Sequence, residues 1–86
     1  MARLISEMRN LGPRMQSMLG EVDILDEDDL RAAGAVDAWH RLRFRFGGRV
    51  NLMALYAMSA ALQDKPWRAV SAAEKEDLKK AVAGKA

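Results

Sequence analysis

An 86-residue chain has room for a single domain, residues 1–86, and buries only about 60–65% of the surface its unfolded form exposes. Half the residues are hydrophobic and 30% are charged, the profile of a folded domain rather than a disordered tail. With no cysteine and one histidine, His40, the chain has no disulfide framework, no cysteine metal site and no histidine cluster.

The small net charge of +2 conceals three blocks of alternating sign. Arg3, Arg9 and Arg14 outweigh Glu7 at the start. Residues 21–40 then oppose Glu21, Asp23, Asp26, Glu27, Asp28, Asp29 and Asp37 to Arg31 alone. Arg41, Arg43, Arg45, Arg49, Lys65 and Arg68 follow against Asp64. A chain polarised in this way can steer charged partners.

In chain order the elements read as short helices. "ARLISEMR" places Leu4, Ile5 and Met8 at helical spacing. With one acid and no long apolar core, it is not expected to be a signal peptide. Asn10-Leu11-Gly12 stops this helix and Pro13 opens the next, since the first turn of a helix does not need the missing N–H. Met15, Met18, Leu19 and Val22 form the apolar stripe of the second helix. Ile24 is the expected anchor of a tight connection, and Asp26 an N-cap with Asp29 three residues on. The acids that follow suit the positive end of the helix dipole.

Leu30, Ala33 and Val36 continue inward, and Gly34 is expected to break or bend the chain before "AVDAWHRLRFRF". "RLRFRF" alternates like a strand, yet lies inside this longer helical pattern. Gly47-Gly48 ends it. Residues 50–62 are apolar on nearly every face, the mark of a helix buried in the middle of the domain; at about 13 residues, interrupted by Asn51 and Ser59, the stretch is too short to span a membrane. "DKPW" is a loop with Trp67 expected to fold back as a plug. The last helix opens on a capping box, Ser71 with Glu74, and closes on Gly84 after lysines. The expected architecture is all-α, a compact bundle of five to six short helices, in a cytoplasmic protein.

Taken together, "RNLGPRMQSMLGEVDILDEDDLRAAGAVDAWHRL" and "NLMALYAMSAALQDKPWRAVSAAEKEDL" resemble the C-terminal domain of the TfoX (Sxy) family of competence regulators. The resemblance runs from about Leu4 to Val82, and its most specific parts are the "NLGP" turn, "DLRAAGAV" and the "NLMALYA" helix. It implies a helix-hairpin-helix-like domain in the transcriptional control of DNA uptake, here expected without the N-terminal domain of longer members. Where family members tend to carry a glycine and a Thr-like cap, this chain has Asp23 and Asp26. Aspartate tolerates left-handed backbone and caps well, so the fold is expected to survive with a more negative local field.

Two functional readings follow. In the first, the turn Arg9, Asn10, Leu11, Gly12 and Arg14 presents backbone N–H groups and charge to a DNA phosphate, aided by Arg41 and Arg45 on one helical face. Its partners would be DNA or a DNA-bound transcription protein. In the second, the turn only joins helices, the arginines pair with the acids of residues 21–29, and the domain binds protein or itself through Met8, Met15 and Met18. Pro13 removes one donor, and the charges nearly match within the chain, so both the turn and the basic run read more readily as structural. Asp26–Asp29 lacks the glycine turn and bidentate glutamate of a calcium loop. His40 has no nucleophile beside it. Tyr56 and Ser59 read as buried groups with local partners. No enzyme activity, cofactor, metal or small-molecule substrate is expected.

Overall fold

The apolar helix drawn from "NLMALYAMSAAL" occupies the centre, covered by the long helix before it and by the turn and helix that follow it. A computed structural model describes residues 2–83; Gly84, expected to close the last helix, lies outside them. Four α-helices follow one another: α1 (Pro13–Gly20), α2 (Glu27–Phe46), α3 (Leu52–Leu62) and α4 (Ala72–Ala83), with 3-10 turns at Ile5–Glu7, Gly47–Arg49 and Trp67–Ala69. The radius of gyration, 11.8 Å, matches the roughly 12 Å of a tightly packed chain of this length.

The expected first helix is not formed. Only the 3-10 turn Ile5–Glu7 appears, its backbone bonds closing over three residues rather than four, from Glu7 N–H to Leu4 O (3.0 Å) and from Met8 N–H to Ile5 O (3.1 Å). Leu4 N–H donates to Glu7 Oε1 (2.8 Å) and Ser6 N–H to Gln16 Oε1 (3.0 Å). An eight-residue helix would be marginal in any case. The segment is fixed from outside: Leu4 bridges Asp26, and Glu27 N–H donates to Arg3 O (2.9 Å). Ile5, Met8 and Leu11 are thereby driven into the core. Among the described residues the count of α-helices is therefore four rather than five or six.

Two helices end in the same way. After α1, Asp23 turns left-handed (φ 65°), Ile24 N–H reaches back to Leu19 O (2.9 Å), and Asp23 N–H bonds Gly20 O. After α3, Asp64 turns left-handed (φ 53°), Lys65 N–H bonds Ala60 O and Asp64 N–H bonds Ala61 O (3.0 Å each). Both are the six-to-one closure that usually takes glycine, here filled by aspartate as expected at position 23. Ile24 and Leu19, which flank the first closure, are both buried.

Helix α2 starts at Asp26, whose Oδ1 accepts from Asp29 N–H (3.0 Å) while Asp29 Oδ2 accepts from Leu25 N–H (2.9 Å). It bends at Gly34, where φ is 83° and ψ 157°. The bend divides α2 into two arms, so that Leu30 on the first and Ala35, Ala38 and Leu42 on the second are all buried. "RLRFRF" is helical throughout. Gly47, also left-handed (φ 66°), ends the second arm. Asn51 Oδ1 then caps α3 by accepting from Met53 N–H (3.0 Å) and Ala54 N–H (3.4 Å).

Within α3, Leu55, Tyr56, Met58, Ala60 and Ala61 are buried, on more than one side of the helix. Trp67 is not the expected plug: it stays 44% exposed, and Val70, 4% exposed, is the residue of this loop that is buried. At α4, Ser71 Oγ accepts from Glu74 N–H (3.1 Å). Beyond this cap, the Glu74 carboxylate bonds Lys65 Nζ (2.7 Å) and Gln63 Nε2. Those two contacts, Lys65 foremost, hold the Glu74 carboxyl below its ordinary range.

Glu27 joins the N-terminal segment to α2. Arg3 grips it with Nε and Nη2, 3.0 Å each, and Arg31 adds a third bond of 2.9 Å. Arg31 also donates to Leu62 O at the end of α3 (3.2 Å). Hydrogen bonds from Arg3 and then Arg31 lower the Glu27 carboxyl from 4.5 to about 2.

Two predictions follow from these positions. Gly34 occupies backbone space that is essentially reserved for glycine, and a Cβ there would touch nothing within 4 Å. Gly34→Ala should therefore destabilise the fold by about 1–3 kcal/mol through backbone strain alone, read as a lower urea midpoint; an unchanged midpoint would contradict the assigned bend. For Glu27 the folded value lies below the unfolded one, so its stabilisation is complete above pH 4.5 and fades as pH falls toward about 2. Urea melts across that window should show wild type losing more stability than Glu27→Gln, and equal losses would dismiss the triple pairing.

Candidate interaction surface

The turn between residues 9 and 14 holds its shape through Asn10 rather than Gly12. Asn10 is the left-handed residue (φ 69°), whereas Gly12 is extended (φ −131°, ψ −168°) and could carry a Cβ without contact. The Asn10 side chain binds the distant 64–67 loop at both ends. Its Nδ2 donates to Lys65 O (2.8 Å) and its Oδ1 accepts from Trp67 N–H (2.9 Å). Arg9 reaches the same loop, donating to Asp64 O (3.4 Å). Leu11 is a core residue, 6% exposed.

Of the residues expected to hold a phosphate at this turn, Arg9 and Asn10 are thus tied to the protein itself and Leu11 is buried. Gly12 O accepts the first helical bond, from Gln16 N–H (3.0 Å). Arg14 is different. It is exposed on the first turn of α1 and has no hydrogen-bond or ion-pair partner among the described residues.

The basic run on the second arm of α2 is likewise engaged internally. Arg41 pairs with Asp37 (3.0 Å) and donates to Val22 O (3.4 Å). Arg45 pairs with Glu21 (2.7 Å) and lies over the Phe46 ring. Arg43, on the other side of the helix, donates to Val50 O (2.8 Å) and stacks on Trp39. Exposed pairs of this kind are worth only about 0–1 kcal/mol each. Their main effect is to cancel the positive field that Arg41 and Arg45 would project. Phe44 stands 96% exposed between them.

The methionine surface also changes. Met8 is 2% exposed and belongs to the core, so it cannot contribute to a partner surface; the 3-10 turn that replaces the expected helix points it inward. Met15 and Met18 are half-buried and line a cleft of about 240 Å³ where α1 meets the start of α3. Leu42 and Val50, both buried, form its base, and Arg14 and Arg49 line it as well. Arg49 was not singled out by sequence reasoning. It follows the left-handed Gly47, and only the resulting turn carries it to the side of α1.

Of the two groups read as buried with local partners, Tyr56 is buried and Ser59 half-buried. Ser59 Oγ accepts from Gln63 Nε2 (3.4 Å), and Tyr56 lies beneath the Lys75 ammonium. Among the described residues, His40 Nε2 is the one buried side-chain nitrogen or oxygen without a hydrogen-bond partner, and no group of three or more His, Cys, Asp or Glu could hold a metal ion. No described helix is long and apolar enough to cross a membrane.

An all-helical domain with a small cleft beside α1 and no metal-binding cluster among its described residues defines the class. Its sequence places it more closely: the TfoX C-terminal domain family matches residues 1–82, and the chain belongs to that family. Two crystal structures from Listeria monocytogenes share the fold. One, of an uncharacterized protein in a triclinic form, is 28% identical with a TM-score of 0.84, covering 90% of this chain and 86% of that one. The other, of a protein of unknown function in a tetragonal form, is 28% identical with a TM-score of 0.83, covering 92% and 96%. No curated protein matches the chain.

If Asn10 is a clamp, its loss should be felt in folding. Asn10→Ala removes both bonds to the 64–67 loop and leaves a left-handed alanine, which should cost about 1–2 kcal/mol. Chemical denaturation together with amide exchange at Trp67 measures this, and wild-type stability in the variant would refute the clamp.

Proposed function

We propose that this domain is a regulatory module that works by docking a protein, within the transcriptional control of DNA uptake to which its family points. One observation carries the reading. Arg9, Asn10, Arg41 and Arg45, the polar groups best suited to DNA phosphates, are all bonded within the fold. The acids that pair with Arg41 and Arg45, Asp37 and Glu21, stand on the same surface and repel a polyanion. The module binds rather than catalyses, in keeping with a single histidine and no cysteine.

A second reading, direct contact with a DNA phosphate through the Arg14 turn, has one observation in its favour: Arg14 is free and sits at the N-terminus of α1. Fluorescence anisotropy with a generic DNA duplex, repeated over a salt series, separates the two. The docking reading expects little binding and a shallow salt dependence. Affinity that falls with a slope of about −0.9 for each of several phosphates, and that disappears in Arg14→Glu, would replace it with the DNA reading.

A further inference from the structure

Among the nine arginines of the chain, Arg3, Arg9, Arg31, Arg41, Arg43 and Arg45 each bond a carboxylate or a backbone carbonyl. Arg14, Arg49 and Arg68 do so with no group among the described residues. Two of those three, Arg14 and Arg49, line one cleft. Like charges gathered at one site are unfavourable unless something of opposite sign joins them, and here the fold supplies no acid. Between them the cleft is walled by Met15 and Met18 over Leu42 and Val50, with Asn51 as its other polar side chain.

We propose that this cleft is the docking site for an acidic-apolar protein segment, whose carboxylate binds Arg14 and Arg49 while an adjacent aliphatic side chain packs on Met15 and Met18. The proposal rests on the protein-docking reading above and gives it a place and a chemistry. Three features select this occupant. The planar guanidinium forks match a carboxylate in two-point geometry. The methionines form an adaptable apolar wall that accepts side chains of varied shape, and a phosphodiester would leave that wall in contact with water. The volume, about 240 Å³, falls below the 300–1,000 Å³ or so of small-molecule pockets; it suits a side chain or two of a peptide rather than a cofactor.

The test uses the whole chain labelled at its methionine methyl carbons. The probe is an acetylated and amidated hexapeptide of alternating leucine and glutamate. Met15 and Met18 methyl signals should shift on titration, while the buried Met8 and Met58 stay still. Arg14→Glu and Arg49→Glu should each weaken binding about tenfold or more. Both arginines are exposed and free of internal partners, so these variants should retain the wild-type fold, verified from the unchanged Met8 and Met58 signals.

The same peptide with glutamine for glutamate should bind far more weakly. Unmoved Met15 and Met18 signals at millimolar peptide, or equal binding of the glutamine peptide, would overturn the assignment. So would an equal response to inorganic phosphate or to a short DNA duplex, which would make the cleft a phosphate site. A chain that binds neither duplex nor peptide refutes the cleft alone, whereas salt-steep DNA binding refutes the docking reading beneath it.

Discussion

Helix α3 is apolar on nearly every face, and most of the architecture follows from that. An apolar stripe can be covered by one neighbour, but a helix apolar all round needs neighbours on every flank. A chain of 86 residues has few to provide. The bend at Gly34 meets part of the need by letting one segment act as two arms, Leu30 reaching the core from the first and Leu42 from the second. Helix α4 and the Trp67–Ala69 turn cover other flanks, and the N-terminal segment, too short to be a helix in its own right, adds Ile5, Met8 and Leu11. Each contributor is small, so each must be tethered by something other than its own packing.

Those tethers are where the polar residues go. Glu27 gathers Arg3 from the N-terminus and Arg31 from the next turn of α2, and Arg31 continues to the last carbonyl of α3. Asn10 fastens the start of the chain to the loop after α3. Lys65 and Glu74 fasten that loop to α4. The alternating charge blocks of the sequence are therefore brought together by the fold: the acids of residues 21–37 meet arginines from both the block before and the block after. Surface polarity that looked available to a nucleic acid is largely internal wiring.

What could be read from the sequence was whatever depends on near neighbours. Asp26 with Asp29, Ser71 with Glu74, Gly34, and the left-handed Asp23 each act over a few residues, and each is where local chemistry expects it. The departures all arise from partners far apart in the chain. Met8 read as exposed because its helix was assumed to stand alone; the segment is instead a 3-10 turn held from outside by Gln16, Asp26 and Glu27. Asn10 read as a phosphate contact because its true partners lie 55 and 57 residues away. Trp67 read as a plug on size alone, although its backbone is held at the surface by that same asparagine. The pairing of Arg14 with Arg49 across one cleft was invisible for the same reason, since it needs both the Gly47 turn and the placement of α1.

The "NLGP" turn thus has a role one step removed from binding. Asn10 anchors it, Leu11 roots it in the core, and Pro13 fixes the first turn of α1. Arg14 follows at once, on backbone that has little freedom left. Arg49 is held in a comparable way, between the left-handed Gly47 and the buried Val50. Two long, flexible side chains are therefore presented from rigid mounts on either side of an apolar wall. Mounts of this kind lower the ordering cost of association, and they set the spacing that a partner must match. The residues of the turn that looked functional are the ones that hold the mount, and in the proposed docking reading the contact passes to the arginine they position.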